Sequence, residues 1–147
     1  MNFALSEEQE MLRKSARDFL TDKCPSKLVK DMEKSDKGYS PELWREMVGL
    51  GWMGLAFPEK YSGTDMRFLD LAILLEEMGR AALPGPFFSS VVLGGLTILD
   101  AGSDEQKQKY LPKIAGGEAI FTLALTESSA RYEPASIKMK ATADGDA

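Results

Sequence analysis

The chain has 147 residues, 44% of them hydrophobic, with 18 basic residues against 23 acidic ones and a net charge of -5. This composition suits one globular domain with a sizeable core and argues against disorder, and no Lys/Arg block is long enough to track a phosphate backbone, so nucleic acid is not an expected partner. Histidine is absent and Cys24 stands alone, which leaves no disulfide framework and no Cys/His metal site within one chain, and points to a reducing compartment.

Taken in order, Ser6 and Gln9 have capping-box spacing, and Leu12, Ala16, Phe19 and Leu20 form one apolar stripe, predicting a first helix that stops before Pro25. A short polar helix is expected from about Lys27 to Lys34. Ser40-Pro41-Glu42 starts a third helix carrying Leu43, Trp44, Met47 and Val48, which Gly49 and Gly51 end. Leu55 to Pro58 is expected to run extended into a turn at Glu59 to Gly63. A fourth helix from Thr64 or Asp65 holds Phe68, Leu69, Leu71, Ala72, Leu74, Leu75 and Met78, an apolar arc wide enough for the centre of a bundle, with Gly79 as its stop. Glu76 and Glu77 are adjacent carboxylates, but neighbours on a helix point about 100° apart, so a solvated face or helix-end contacts are expected rather than an acid/base pair.

The uncharged run from Ala81 to Leu99 contains Pro84, Gly85, Pro86 and the Gly94/Gly95 pair, so a membrane span is not expected. A buried fifth helix from Phe87 to Ala101 is expected instead. Each glycine within it costs about 1 kcal/mol of helix propensity relative to Ala, which implies close approach by a neighbouring helix or, alternatively, by a ligand chain. Ser103 and Gln106 repeat the capping-box spacing at the start of a sixth helix, with Asp104 and Glu105 at its positive end, Lys113 near its negative end and Gly116-Gly117 as the stop.

At Ala119 the pattern changes period. Ile120, Thr122, Ala124 and Thr126 alternate with Phe121, Leu123 and Leu125, both sets largely apolar, which predicts a buried strand opening into a polar loop at Ser128. Such a strand end is either an ordinary loop junction or a ligand site. Ser136 to Ala143 alternates like a half-exposed strand, and Asp144-Gly145 signals a hairpin turn with no return strand. The expected organisation is therefore mainly α: a six-helix domain over residues 1–118, then the start of a β domain over 119–147 in a chain read as the front portion of a longer polypeptide. The N-terminus lacks a secretory signal and its acidic residues disfavour a mitochondrial presequence, so a cytoplasmic location is expected. No dinucleotide fingerprint, phosphate-loop lysine, nucleophile elbow or histidine base is present.

Several stretches together resemble the N-terminal region of acyl-CoA dehydrogenases. They are LSEEQEMLRKSARDFL at Leu5 to Leu20, PEKYSG at Pro58 to Gly63, EEMGR at Glu76 to Arg80, SDEQKQKYLPKIAGGE at Ser103 to Glu118 and ALTE at Ala124 to Glu127. The resemblance implies an FAD flavoenzyme that places a double bond between the α and β carbons of an acyl-CoA thioester, with hydride passing to the flavin. It implies a helical N-terminal domain, a middle β-barrel beginning near Ala119, and a C-terminal helical domain holding the catalytic carboxylate, so no residue here is expected to be catalytic and this chain alone is expected to be inactive. By the same resemblance, Leu123, Leu125 and Thr126 would contact the flavin ring, and Ser89 would sit at the far end of the acyl pocket. After Glu127 the family's Pro and glycine-rich loop ending in Gly-Ser-Asp is replaced by SSARYEPAS, so Tyr132 takes the Ser position, beside flavin and substrate, and Glu133 the Asp position. An electron-transfer flavoprotein as acceptor and a homotetramer are further implications. The alternatives are a divergent oxidase or flavin-poor partner subunit of the superfamily, or a non-enzymatic helical interaction module.

Overall fold

The computed structural model describes residues 4–128, 133–140 and 142. Its helices run in the order α1 (Glu7–Lys23), α2 (Ser26–Glu33), α3 (Pro41–Gly49), α4 (Phe68–Arg80), a π-helix (Phe88–Leu96) that passes directly into α5 (Thr97–Ala101), and α6 (Asp104–Ala115). Two short 3-10 turns, Trp52–Gly54 and Glu59–Tyr61, connect α3 to α4.

The helix starts follow from their capping chemistry. In α1 the Ser6 hydroxyl accepts from the Gln9 N–H at 3.2 Å while the Gln9 side chain accepts from the Ser6 N–H at 3.0 Å, and α6 repeats the exchange between Ser103 and Gln106. Ser40 caps α3, with Pro41 at the first helical position. Helix α4 begins at Phe68, later than Thr64 or Asp65, because Asp65 sits at φ 55°, outside the helical region. It runs through Gly79 to Arg80, since that glycine keeps helical geometry and Ala82, at φ 50°, breaks the chain direction instead.

Helices α1 and α4 pack together most extensively. Ala16 and Leu20 of α1 join Leu71, Leu74 and Met78 of α4 in one core, which continues through Trp44, Trp52, Met53 and Phe57 to Leu111 and Ile114 of α6. Burying side chains of this size contributes about 1.5–3 kcal/mol each relative to exposure, so the six-helix arrangement is held by its apolar stripes rather than by surface charge.

The β expectations differ from what forms. The stretch from Ala119 to Thr126 is extended but neither laddered nor buried: Ile120 is 48% and Leu123 38% exposed. Residues 137–140 likewise form no strand, and Pro134–Ser136 is a 3-10 turn. A strand is defined by its ladder partner, and no two extended segments pair as strands among the described residues. The hairpin turn expected at Asp144-Gly145 lies outside the described residues.

The fifth helix departs in another way. Where one α-helix was expected from Phe87 to Ala101, the nine residues Phe88–Leu96 are π-helical, a form that is rare at this length and often marks functional sites. Each of the two glycines is approached by an aromatic residue that lies outside any helix. A Cβ built on Gly94 would lie 2.5 Å from the Cβ of Phe121, and one on Gly95 would lie 2.5 Å from the Phe57 ring.

Candidate functional site

Of the residues singled out from sequence, Ser89 lies on the π-helix and Leu123, Leu125 and Thr126 on the extended segment after α6, and these two elements meet at Phe121. Phe121 is the joint. Its N–H donates to the hydroxyl of fully buried Ser90 at 3.2 Å, its ring meets Tyr110 of α6 edge-to-face at 5.5 Å, and its Cβ covers Gly94. Beyond this joint the segment leaves the helical body. Leu123 and Thr126 are exposed and Leu125 is half-buried, its N–H donating back to the Leu123 carbonyl at 3.0 Å.

Ser89 precedes the buried Ser90 on the π-helix. It is half-buried, and its hydroxyl donates to the Pro86 carbonyl at 3.0 Å, so the side chain is turned onto its own backbone. The structure thus brings Ser89 and the Leu123–Thr126 segment to one junction through their neighbours Ser90 and Phe121. Tyr132 lies outside the described residues. Glu133 is described and exposed.

Two contributors escaped the sequence reading. One is Phe121, which looked like any apolar strand residue; the glycine pair signalled a close contact without naming its partner. The other is Glu127. One carboxylate oxygen accepts from the Lys138 N–H at 3.1 Å and the Met139 N–H at 2.8 Å, and the other from the Lys138 N–H at 2.9 Å, which ties residue 127 to residues 138 and 139. Its place directly after Thr126 in ALTE was the available signal.

The remaining ionisable groups are committed elsewhere. Glu77 is not on a solvated face: it is fully buried, and Arg17 of α1 and Arg80 both bind its carboxylate, at 2.6 and 3.0 Å and at 2.8 Å respectively. The Arg17 hydrogen bonds, with help from Arg80 and against the cost of burial, hold its pKa down to about 2. A carboxylate so held is a poor proton acceptor near neutral pH. Burial pushes the Cys24 thiol up, away from nucleophilic use. Among the described residues no cluster of His, Cys, Asp and Glu could hold a metal, and no helix is long and apolar enough to cross a membrane. An apolar groove of about 350 Å³ lies at the end of α4, lined by Leu75, Met78, Leu83, Phe87 and Phe88 among others, with neither Ser89 nor the extended segment in its lining.

Comparison with known proteins decides the family. The model for the N-terminal domain of acyl-CoA dehydrogenases matches residues 6–118. This chain belongs to the acyl-CoA dehydrogenase family. It is 33% identical over 150 aligned positions to the probable acyl-CoA dehydrogenase YngJ of Bacillus subtilis (strain 168), covering 99% of this chain and 38% of that relative. Among solved structures it is similar to the acyl-CoA dehydrogenase from Geobacillus kaustophilus, with a TM-score of 0.81 and 33% identity over 99% of this chain and 38% of that one. It is also similar to the acyl-CoA dehydrogenase complexed with FAD from Bacillus anthracis, with a TM-score of 0.78 and 31% identity over 91% of this chain and 23% of that one. This acyl-CoA dehydrogenase chain therefore spans well under half the length of the relatives it matches.

Proposed function

We propose that this chain is the N-terminal part of an FAD-dependent acyl-CoA dehydrogenase that oxidises the α,β carbon–carbon bond of an acyl thioester, and that it supplies part of the flavin site and part of the acyl pocket. The family match over residues 6–118 carries the reading. The residues after the helical body suit it: Leu123 to Thr126 is extended backbone that no β ladder consumes among the described residues, with an exposed threonine hydroxyl at its end. When bound, the flavin supplies the two-electron acceptor for the hydride leaving the substrate. On this reading the Thr126 hydroxyl and the backbone groups of Leu123 and Leu125 orient the ring, and fixed donors at its polar edge stabilise the negative charge it gains. Ser89, small and turned onto the Pro86 carbonyl, leaves room at the far end of the acyl pocket. Tyr132 borders flavin and substrate, where its ring restricts space.

The proton acceptor belongs to the C-terminal domain on this reading, which makes residues 1–147 inactive alone. Arg17 and Arg80 keep Glu77 from substituting. An electron-transfer flavoprotein as electron acceptor, a homotetrameric assembly and a cytoplasmic location complete the proposal.

One feature favours a second reading, that of a flavin-poor partner subunit: Tyr132 and Glu133 stand where the family pattern has Ser and Asp. The test is the visible spectrum of the protein expressed through its natural stop codon, before and after anaerobic addition of a panel of acyl-CoA thioesters. A bound flavin that bleaches supports the dehydrogenase; a protein that binds no flavin rejects it in favour of the partner subunit.

A further inference from the structure

The π-helix and the segment that follows α6 meet at one residue, and we infer that Ser90, Gly94 and Tyr110 form a socket whose function is to aim that segment: Phe121 is its plug and Thr126 its pointer. The inference rests on the flavin reading above and assigns positioning roles to residues outside the flavin-contacting segment itself. Three independent contacts hold Phe121. Ser90 accepts its N–H at 3.2 Å, Tyr110 takes its ring edge-to-face, and Gly94 admits its Cβ where any side chain would collide. Each comes from a different chemistry, and together they restrain position, ring plane and depth.

Ser90 is a fully buried hydroxyl on an uncharged helix, and Phe121 gives it a partner outside that helix. A buried polar group carries a desolvation cost that is offset only where its partner is held in place. Gly94 likewise sacrifices helix propensity where the Cβ of Phe121 approaches. The wide π-helical ring sets Ser90 and Gly94 beneath the same residue, whereas Gly95, one position on, faces the Phe57 ring in the core.

The socket has leverage. Thr126 follows Phe121 by five residues, at most about 17 Å of extended chain, so a change of about 10° in the exit direction moves Thr126 by roughly 3 Å. Binding geometry tolerates about 0.5 Å. Because Ser89 adjoins Ser90, the same joint sets the acyl-pocket residue and the flavin-contacting residues in register.

The test uses the protein expressed through its natural stop codon, carrying Gly94→Ala, Ser90→Ala or Gly95→Ala. Gly95→Ala is the control, since it crowds the same helix on its core side. Flavin titration of the apoprotein is expected to show about tenfold weaker binding for Gly94→Ala and Ser90→Ala, and a change within about twofold for Gly95→Ala, at comparable melting temperatures. Hydrogen exchange at the Phe121 amide provides a readout independent of flavin, accelerated in the first two variants and unchanged in the control. Folded Gly94→Ala and Ser90→Ala proteins with wild-type flavin affinity overturn the positioning role, as does equal weakening by Gly95→Ala. Unchanged exchange at Phe121 overturns the socket itself. Wild-type protein that takes up no flavin rejects the flavin reading and the aiming role with it, while exchange at Phe121 still judges the socket.

Discussion

The helical body and the segment after it dispose of the same backbone groups by opposite means. Within the body, N–H and C=O groups pair inside helices, the open ends are capped by Ser6, Ser40 and Ser103, and the apolar stripes meet in one core. From Ala119 to Thr126 the chain is extended, no ladder forms among the described residues, and isolated side-chain acceptors, Ser90 and Glu127, stand in for one. Local pairing lets the body be complete from its own residues, whereas an extended segment needs a partner from elsewhere. Stability should therefore reside in the body, and placement of the candidate flavin residues in a few contacts at its margin.

That contrast can be broken at graded strengths. Phe57→Ala, which empties a fully buried site beside Gly95, is expected to lower unfolding free energy by about 3–5 kcal/mol, measured by urea denaturation. Glu77→Ala is expected to cost about 2–3 kcal/mol, less than a fully buried ion pair because Arg17 and Arg80 are half exposed and regain water. The same site predicts a pH dependence. The folded pKa of Glu77 lies below its ordinary 4.5, at about 2, so its contribution is present above 4.5 and is lost as pH falls through that window. Melting temperature followed from pH 5 to pH 2 should fall less steeply in Glu77→Gln than in wild type; parallel curves would reject the assignment. Ser103→Ala should cost about 1 kcal/mol through the lost cap of α6. Glu127→Gln should leave the melting temperature within about 2 °C of wild type, while hydrogen exchange at Lys138 and Met139 accelerates; a clear drop in melting temperature would show that the segment belongs to the cooperative body after all.

The helices were legible because their signals are local. A serine three residues before a glutamine, or leucines on one stripe, carry their meaning within one or two turns, and the family motifs ride on the same stretches. The misses are non-local. Nothing near Glu77 announces Arg17, sixty positions upstream, so the carboxylate read as solvated or held in helix-end contacts; Arg80 supplies such a contact, but α1 also reaches across to bury it. The glycine pair announced crowding, but Phe121 comes from beyond α6 and Phe57 from before α4. The alternation after Ala119 describes what the segment can become beside another strand; it cannot make a ladder without one.

Asp70 has a wider effect than its size suggests. One of its carboxylate oxygens accepts from the Arg67 N–H at the start of α4, and the other from the side-chain amide of Gln9, the residue that also closes the capping box of α1. The first turns of the two longest helices are thereby wired through a single buried carboxylate. Fraying, ordinarily a private matter of each helix end, becomes a shared event here: unwinding the first turn of either helix loosens the other, and the chain's N-terminal edge melts as part of the bundle.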